Sequence, residues 1–552
     1  MPSSFSGEPL IRRTAELAAI IAIAAVGTWG VYRHTLEYGF DYDDYQFTKP
    51  FTSAEIRDAF TGPWDRTGIQ VPFYRPLTIA FYAARFEAFG LNSRAHHALS
   101  LVLFSVATVA AGVLAWRMTG RASAGALAAV FFVVHPSMPY AQAVWPTNQM
   151  HLLESLVVLG ALWWWNGIRG RPLVWWLPLL AAAIVAFLIK EDGIMLLPVI
   201  VVVHWLRRWI AEPQLPPPPR TFIVLSILLI AVLVGGRTAA LAGLGGYGRP
   251  TPERALRNFV AGLDRVFRMV PPDRPWQTLA SWFATLAPLV ALASWRRVPP
   301  HVRFLLAAGF ALAVLFNLPF VFVTKLEQMH LVALGAVLVL AASIVSIAHG
   351  ARGRGLSAAL MVCGAAGAVP MAFVARDIST DFAPFGPIVR AHDQIVQGWA
   401  AVPHELREYL SQKDRHTANP ADGLEVVIFG AHPRERNPSG LHIRWMSSTH
   451  TEILVAGRTR EAILPLRHAA GVFREPAYAE ILANGRRVDR LELADGDWRV
   501  SRVALRAADI RPFWRMHRIV ITLRRAWVPA QMFRRSTDTR VLGLQIGDIQ
   551  IR

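Results

Sequence analysis

The chain has 552 residues, of which 53% are hydrophobic and only 17% charged, and it carries a formal charge of +19. Soluble globular domains carry about 25% charged residues, so this deficit, together with long apolar runs, excludes an ordinary soluble enzyme and points to a polytopic membrane protein. The positive charge does not imply a nucleic-acid partner, because Arg accumulates in the cytoplasmic loops of membrane proteins. The single cysteine, Cys363, excludes an intrachain disulfide and a cysteine-built metal site.

Apolar runs of about 17–25 residues can cross a bilayer. Such runs are predicted over residues 15–32, 97–116, 121–136, 150–166, 173–189, 193–206, 221–240, 276–294, 303–322, 330–348 and 356–375, about eleven spans. The first follows MPSSFSGEPLIRR and contains Glu16; with no small-residue cleavage site, it reads as a retained span. No short-period repeat is present. Alternate connections hold Arg12/Arg13, Arg117/Arg121, Arg169/Arg171, Arg207/Arg208/Arg220, Arg296/Arg297/Arg303 and Arg352/Arg354, and the connections on the other side hold few cations. By the positive-inside rule the N-terminus is cytoplasmic, and the loop after the first span and the C-terminus are extracytoplasmic, as for a multi-pass protein of a cell (inner) membrane.

Residues 38–76 follow the first span. They carry Asp41, Asp43 and Asp44 among Tyr38, Phe40, Tyr42, Tyr45 and Phe47, then the element Tyr74-Arg75-Pro76. Carboxylates among aromatics at a membrane surface are costly to desolvate unless partnered, and such a group can act as a general base. The ordinary reading is a solvated loop with an interfacial aromatic belt. Farther on, Pro213–Pro219 is a stiff cytoplasmic connector. Leu256, Phe259, Val260, Leu263, Val266, Phe267 and Val270 recur at three and four, which predicts an amphipathic interfacial helix, either a lid over lipid phosphate or a plain connector.

Composition changes near residue 376. Residues 377–430 form a polar connecting segment, and from about 425 short alternating runs appear: VVIFG, HTEILVAG, EAILPLRH, YAEILANG, VDRLELADG, WRVSRVAL, HRIVITLRR and VLGLQIGDIQI. Turn signals such as Asn484-Gly485 separate some of them. The expectation is a transmembrane domain over 1–376 and a jelly-roll-like extracytoplasmic β-sandwich over 431–552. That module binds carbohydrate or caps the membrane part.

The unusual polar residues gather at the predicted outer face: Asp43 and Asp44; Tyr74 and Arg75; His135, Gln142 and Asn148 in HPSMPYAQAVWPTNQ; Lys190, Glu191 and Asp192 in KEDG; Lys325 and Glu327 in TKLEQMH. This suits a substrate with a lipid tail and a polar head. Only four lysines occur, Lys49, Lys190, Lys325 and Lys413, and three fall at that face against the positive-inside trend. Lys190 and Lys325 either contact a donor phosphate as point charges or pair locally, with Glu191 or Asp192 and with Glu327. His135 and His151 match no tight metal-ligand spacing, and His330 reads as a helix-end residue.

The acidic pair Asp43/Asp44, the YRP element, His135-Pro136 with its following AVW, and Lys190-Glu191 with Gly193 resemble, in order and sidedness, the C-type (GT-C fold) glycosyltransferases that use polyprenyl-phosphate-linked sugars, with protein O-mannosyltransferases and the tetratricopeptide-carrying transmembrane O-mannosyltransferases nearest. The resemblance covers roughly residues 15–376. It departs where relatives often carry Glu or another charged residue and this chain has Gln142, Asn148 and Gln149, and no tetratricopeptide array follows. The resemblance implies inverting transfer of a sugar from a polyprenyl-phosphate donor to an extracytoplasmic glycan, lipid or protein hydroxyl. One of Asp43 and Asp44 acts as base, and Arg75, Lys190 and Lys325 hold the donor phosphate. Tyr74, His135, Gln142, Asn148, Glu191, Asp192 and Glu327 contact substrate. No cofactor and no metal site are expected, since many relatives use no metal; oligosaccharide-transferring ones do, which keeps a metal ion open. Two other readings stand beside this one, a flippase for lipid-linked sugar and a non-catalytic glycan-assembly protein. Sugar, acceptor and oligomeric state stay open.

Overall fold

All eleven predicted apolar runs fall on helices in the computed structural model of the chain. It describes residues 10–40, 44–65, 72–138, 145–168, 170–245, 250–268, 275–322, 329–350, 353–381, 402–412, 418–437, 439–469, 472, 476–493 and 496–552. The helices begin with α1 (Leu10–Tyr32), the short α2 (Asp44–Phe47) and α3 (Ser53–Asp58), and α4 (Pro76–Phe89). They continue with α5 (Ser93–Thr119), α6 (Ala122–Val134), α7 (Gln149–Asn166), α8 (Leu177–Ile189), α9 (Leu196–Ile210) and α10 (Arg220–Ala240). The last are α11 (Pro252–Arg268), α12 (Pro275–Ala293), α13 (Pro300–Asn317), α14 (His330–His349), α15 (Arg354–Ala366) and α16 (Ala368–Asp381). Among the described residues, seven helical stretches are long and apolar enough to cross a membrane, and three shorter apolar ones accompany them, Ala122–Val134, Leu173–Ile189 and Gln277–Ala293. Val26, Val232 and Ile227 point outward on these helices. An outer surface of that kind needs lipid around it, and the chain is a multi-pass membrane protein.

Two compact units make up the chain. The first contains Met1–Leu36, Ser53–Ala80 and His97–Gly386; the second contains Glu37–Thr52, Phe81–His96 and Pro387–Arg552. In the first, α14 is the central helix and packs on α6, α12, α13 and α15. Its closest neighbour is α13. A Cβ on Gly335 would lie 2.5 Å from Gly309 O, and one on Gly309 would lie 2.7 Å from Gly335 O, so only glycines allow this approach. In lipid, where burying apolar surface gives no drive, such close backbone packing is what binds helices together. The helix α11 docks by a stripe of Asn258, Gly262 and Val266: Asn258 Nδ2 donates to Val321 O at 3.1 Å, and Asn317 Nδ2 donates to Phe259 O at 2.7 Å. Leu256 and Val260, on the predicted apolar face, are exposed instead.

The second unit is a β-sandwich. Its strands are β1 (Val426–Phe429), β2 (Glu435–Arg436), β3 (His442–Trp445), β4 (His450–Ala456), β5 (Glu461–Arg467), β6 (Ala477–Ala483), β7 (Arg486–Leu493), β8 (Arg499–Ala504), β9 (Met516–Leu523), β10 (Gln545–Ile546) and β11 (Gln550–Ile551). One antiparallel sheet runs β1-β4-β9-β6-β7; the other runs β11-β5-β10-β3-β2, with β8 on the free side of β5. All eight predicted runs carry strands. The β6–β7 hairpin turns at Asn484 and Gly485, with φ of 49° and 85°, the left-handed pair that such a turn requires.

Strand alternation gives the first sheet two buried faces. Ile428, Ile453, Val455, Ile519 and Ile521 point into the sandwich, against Leu464, Leu466, Val503 and Ile546 of the other sheet. Val427, Phe429, Leu454 and Met516 point the other way. There they meet Phe40, Tyr45, Phe86, Leu91, Val402, Leu406 and Trp514. The aromatics expected at a membrane interface are thus a second core, with Phe40 and Tyr45 buried.

Candidate active site

The buried polar residues of the helical unit converge. Pro76 opens α4, and a residue before proline favours extended backbone, so Tyr74 and Arg75 run straight into the helix start. Arg75 Nε donates to Glu191 Oε2 at 3.0 Å, and Tyr74 N donates to Glu191 Oε1 at 2.7 Å. The Arg75 guanidinium lies 4.1 Å from the Phe73 ring centre and 4.7 Å from that of Trp64. Rings on the face and a carboxylate at the edge satisfy a buried guanidinium. Arg237, from α10, brings Nε to 3.9 Å from Glu191 Oε1.

Helix α8 ends at Ile189, Lys190 is extended, and a 3-10 turn over Glu191–Met195 leads into α9. The turn closes tightly because residue 193 is glycine; a Cβ there would lie 2.5 Å from the Ala186 carbonyl carbon. This turn sets Lys190, Glu191 and Asp192 side by side in the interior. Lys190 Nζ pairs with Asp192 Oδ2 and sits 5.4 Å from the Phe320 ring centre. Of the two sequence-level alternatives for Lys190, local pairing is the one seen.

Two further groups join them. Glu154, one α7 turn from its N-terminus, lies 2.9 Å from His330 Nε2, and both are fully buried. The electrostatic neighbours of Glu154 are Asp192, Lys190 and Arg75. His151 stacks on His330 with ring centres 4.5 Å apart, and Gln149 Nε2 donates to Ser100 Oγ at 2.8 Å. Three carboxylates (Glu154, Glu191, Asp192) thus face three cations (Arg75, Lys190, Arg237). Buried charges of this kind persist only when paired. Of the residues singled out from the sequence, the structure brings Tyr74, Arg75, Lys190, Glu191 and Asp192 together. Sequence reasoning missed Glu154, Arg237 and the part played by His330, though a lone carboxylate inside the apolar run 150–166 is itself a functional signal.

Other predicted residues lie elsewhere. His135 follows α6; its Nε2 donates to Val266 O at 3.1 Å and its Nδ1 accepts from Ser137 N at 3.2 Å. Asn148 ends the turn Pro146–Asn148 and is buried. Asp43, Gln142, Lys325 and Glu327 lie outside the described residues. Asp44 belongs to the second unit, where it is buried at the start of α2. There it faces Arg85, whose guanidinium lies over Tyr82 at 4.7 Å and donates to Thr48 Oγ1 at 3.3 Å. Burial pulls Arg85 below its usual range, opposed by Tyr82 and Asp44.

Neither a protein-family model nor a curated protein matches the chain. Among solved structures it is similar to the arabinosyltransferase EmbB from Mycobacterium smegmatis, with 12% identity and a TM-score of 0.29 over 99% of this chain and 66% of that one. This chain spans slightly less than two thirds of that length, and a TM-score so low leaves fold, donor and acceptor to be argued from the residues themselves.

Proposed function

We propose that this protein is a membrane glycosyltransferase of the GT-C type, moving a sugar from a polyprenyl-phosphate donor to an extracytoplasmic hydroxyl on a glycan, lipid or protein. The observation that carries this reading is the buried set Arg75, Lys190, Glu191 and Asp192, built from the same YRP and KEDG elements that carry the family resemblance, with Arg237 of α10 beside it. A charged cluster shielded from water by apolar helices makes each electrostatic contact stronger than at a surface. A departing phosphate needs such cations.

In this reading the acceptor oxygen attacks the anomeric carbon and its proton passes to one of the first-loop carboxylates, Asp43 or Asp44. The bond from that carbon to the phosphate oxygen breaks, and polyprenyl phosphate leaves with the electron pair. Configuration inverts. Arg75, held by two rings and one carboxylate, brings its fixed guanidinium charge to the phosphate. Lys190, held by Asp192, adds a point charge.

The test is transfer by the purified full chain from a panel of radiolabelled polyprenyl-phosphate sugars, compared with Asp43→Asn and Asp44→Asn. Loss of the base should slow turnover by about 10²–10⁴-fold, with donor binding retained. No turnover from any donor by the unaltered chain would move the assignment to transport or assembly.

A further inference from the structure

We propose that His151, Glu154 and His330 form a binding site for one divalent transition-metal ion of the zinc class. This goes beyond the transferase reading and does not depend on it. His151 and Glu154 are three residues apart on α7 and share a face of that helix; His330 opens α14. One donor atom from each of the three lies within 4.8 Å of the others, and all three side chains are buried. A tetrahedral ion with bonds of about 2.0–2.2 Å separates its ligand atoms by roughly 3.4 Å. The observed 2.9 Å between His330 Nε2 and Glu154 Oε2 and the 4.8 Å limit bracket that spacing. Small rotations of two rings and one carboxylate close the difference.

A second observation points the same way. Glu154 Oε1 is buried and meets no hydrogen-bond donor among the described residues; the group facing it is the Asp192 carboxylate, whose Oδ1 likewise meets none. Lys190 and Arg75 lie among the charges around Glu154 but bond neither of these two oxygens, which still lack a positive partner of their own. Either a cation or a shared proton can supply it. Two imidazoles alongside favour the cation, since two His and one carboxylate are the ligand set of open transition-metal sites in which water or an anion takes the remaining positions.

The experiment uses the full chain in detergent. It is stripped with a chelator, dialysed against Zn²⁺ alone, and assayed for zinc by elemental mass spectrometry. Co²⁺ is loaded in parallel for its visible absorption bands. The expected result is one zinc per chain, a cobalt spectrum of low coordination number with nitrogen ligands, and affinity weakened by at least about tenfold in His151→Asn and in Glu154→Gln. Should Glu154→Gln fail to fold, His151→Asn and the cobalt spectrum of the unaltered protein decide the matter. Zinc absent from the unaltered chain overturns the proposal and leaves the shared proton as the account. Equal zinc binding by His151→Asn and the unaltered protein, or a cobalt spectrum with oxygen ligands only, places any ion elsewhere and overturns it as well.

Discussion

In the helical unit Arg75 and Glu191 pair at 1% and 5% side-chain exposure, while Val26 stands outward at 72%. In the β unit the pattern inverts: Ile453 is fully buried, and Arg434 pairs with Asp548 at 45% and 62% exposure. The contrast teaches what each solvent permits. Lipid tolerates apolar side chains anywhere, so in the helical unit polarity is the scarce property and is gathered inside. Water tolerates charge anywhere, so the β unit keeps its ion pairs mostly at the rim, where each contributes little.

The largest test of this contrast is removal of one member from an ion pair in each unit. Arg75→Met leaves the buried Glu191 with the Tyr74 N–H and a more distant Arg237 and should cost about 3–5 kcal/mol, read as a large fall in the melting temperature in detergent. Arg434→Met should stay within about 0.5 kcal/mol. Similar losses from the two would break the comparison. Arg75→Met combined with Glu191→Met should regain most of the stability, because a matched apolar pair is nearly neutral there, while donor binding stays lost.

Next is Trp514→Ala. Trp514 packs edge-on against Phe86 with ring centres 5.5 Å apart and donates from Nε1 to Glu87 O at 3.0 Å. Truncation empties the second core at a cost of about 3 kcal/mol or more, measurable by exposure of the β unit to limited proteolysis. Gly193→Ala pushes a methyl into the Ala186 backbone and should cost about 1–3 kcal/mol. Its distinguishing mark is weakened donor binding at temperatures where the protein is still folded, since the turn sets Lys190 and Asp192.

The smallest expected effect is at Glu87, which accepts from Arg511 and from Arg518, each at 2.7 Å. Burial pushes its carboxyl up, but the two guanidiniums outweigh burial and hold it below its usual range. A carboxyl lowered by folding stabilises fully above the unfolded value of about 4.3, and that stability drains away as pH falls through the folded value. Glu87 is half-exposed, so solvent screening keeps the contribution under about 1 kcal/mol. Melting curves of Glu87→Gln and the unaltered chain should differ slightly at pH 7 and merge in acid. A gap that widened in acid would reverse the sign.

Regular periodicity was legible and isolated polarity was not. Eleven apolar runs and eight alternating runs found their helices and strands because each had enough length to show a period. Strand β2 is only Glu435–Arg436, and the alternation of β3, His442–Trp445, runs for too few residues to stand out. Helix α4 is interrupted by Arg85, which looks exposed in sequence and is buried in the structure. The aromatics Phe40 and Tyr45 suggested a membrane interface, since their sheet partners lie hundreds of residues away and leave no local trace. At the site, the KEDG turn was readable because its charges are consecutive. Glu154 was not, because its partner His330 comes from another helix at a separation of 176 residues.

The second unit joins pieces made far apart in time. Glu87 and Trp514 are 427 residues apart. At about 5–20 residues per second of synthesis, their meeting waits at least roughly 20 seconds. Phe40, Tyr45 and Phe86 are made early and wait first for β1 and β4, then for Trp514 and β9. A chain that stops before Trp514 leaves that cover incomplete, so nonsense truncations ahead of β9 should yield protein marked for degradation by its beginning as much as by its end.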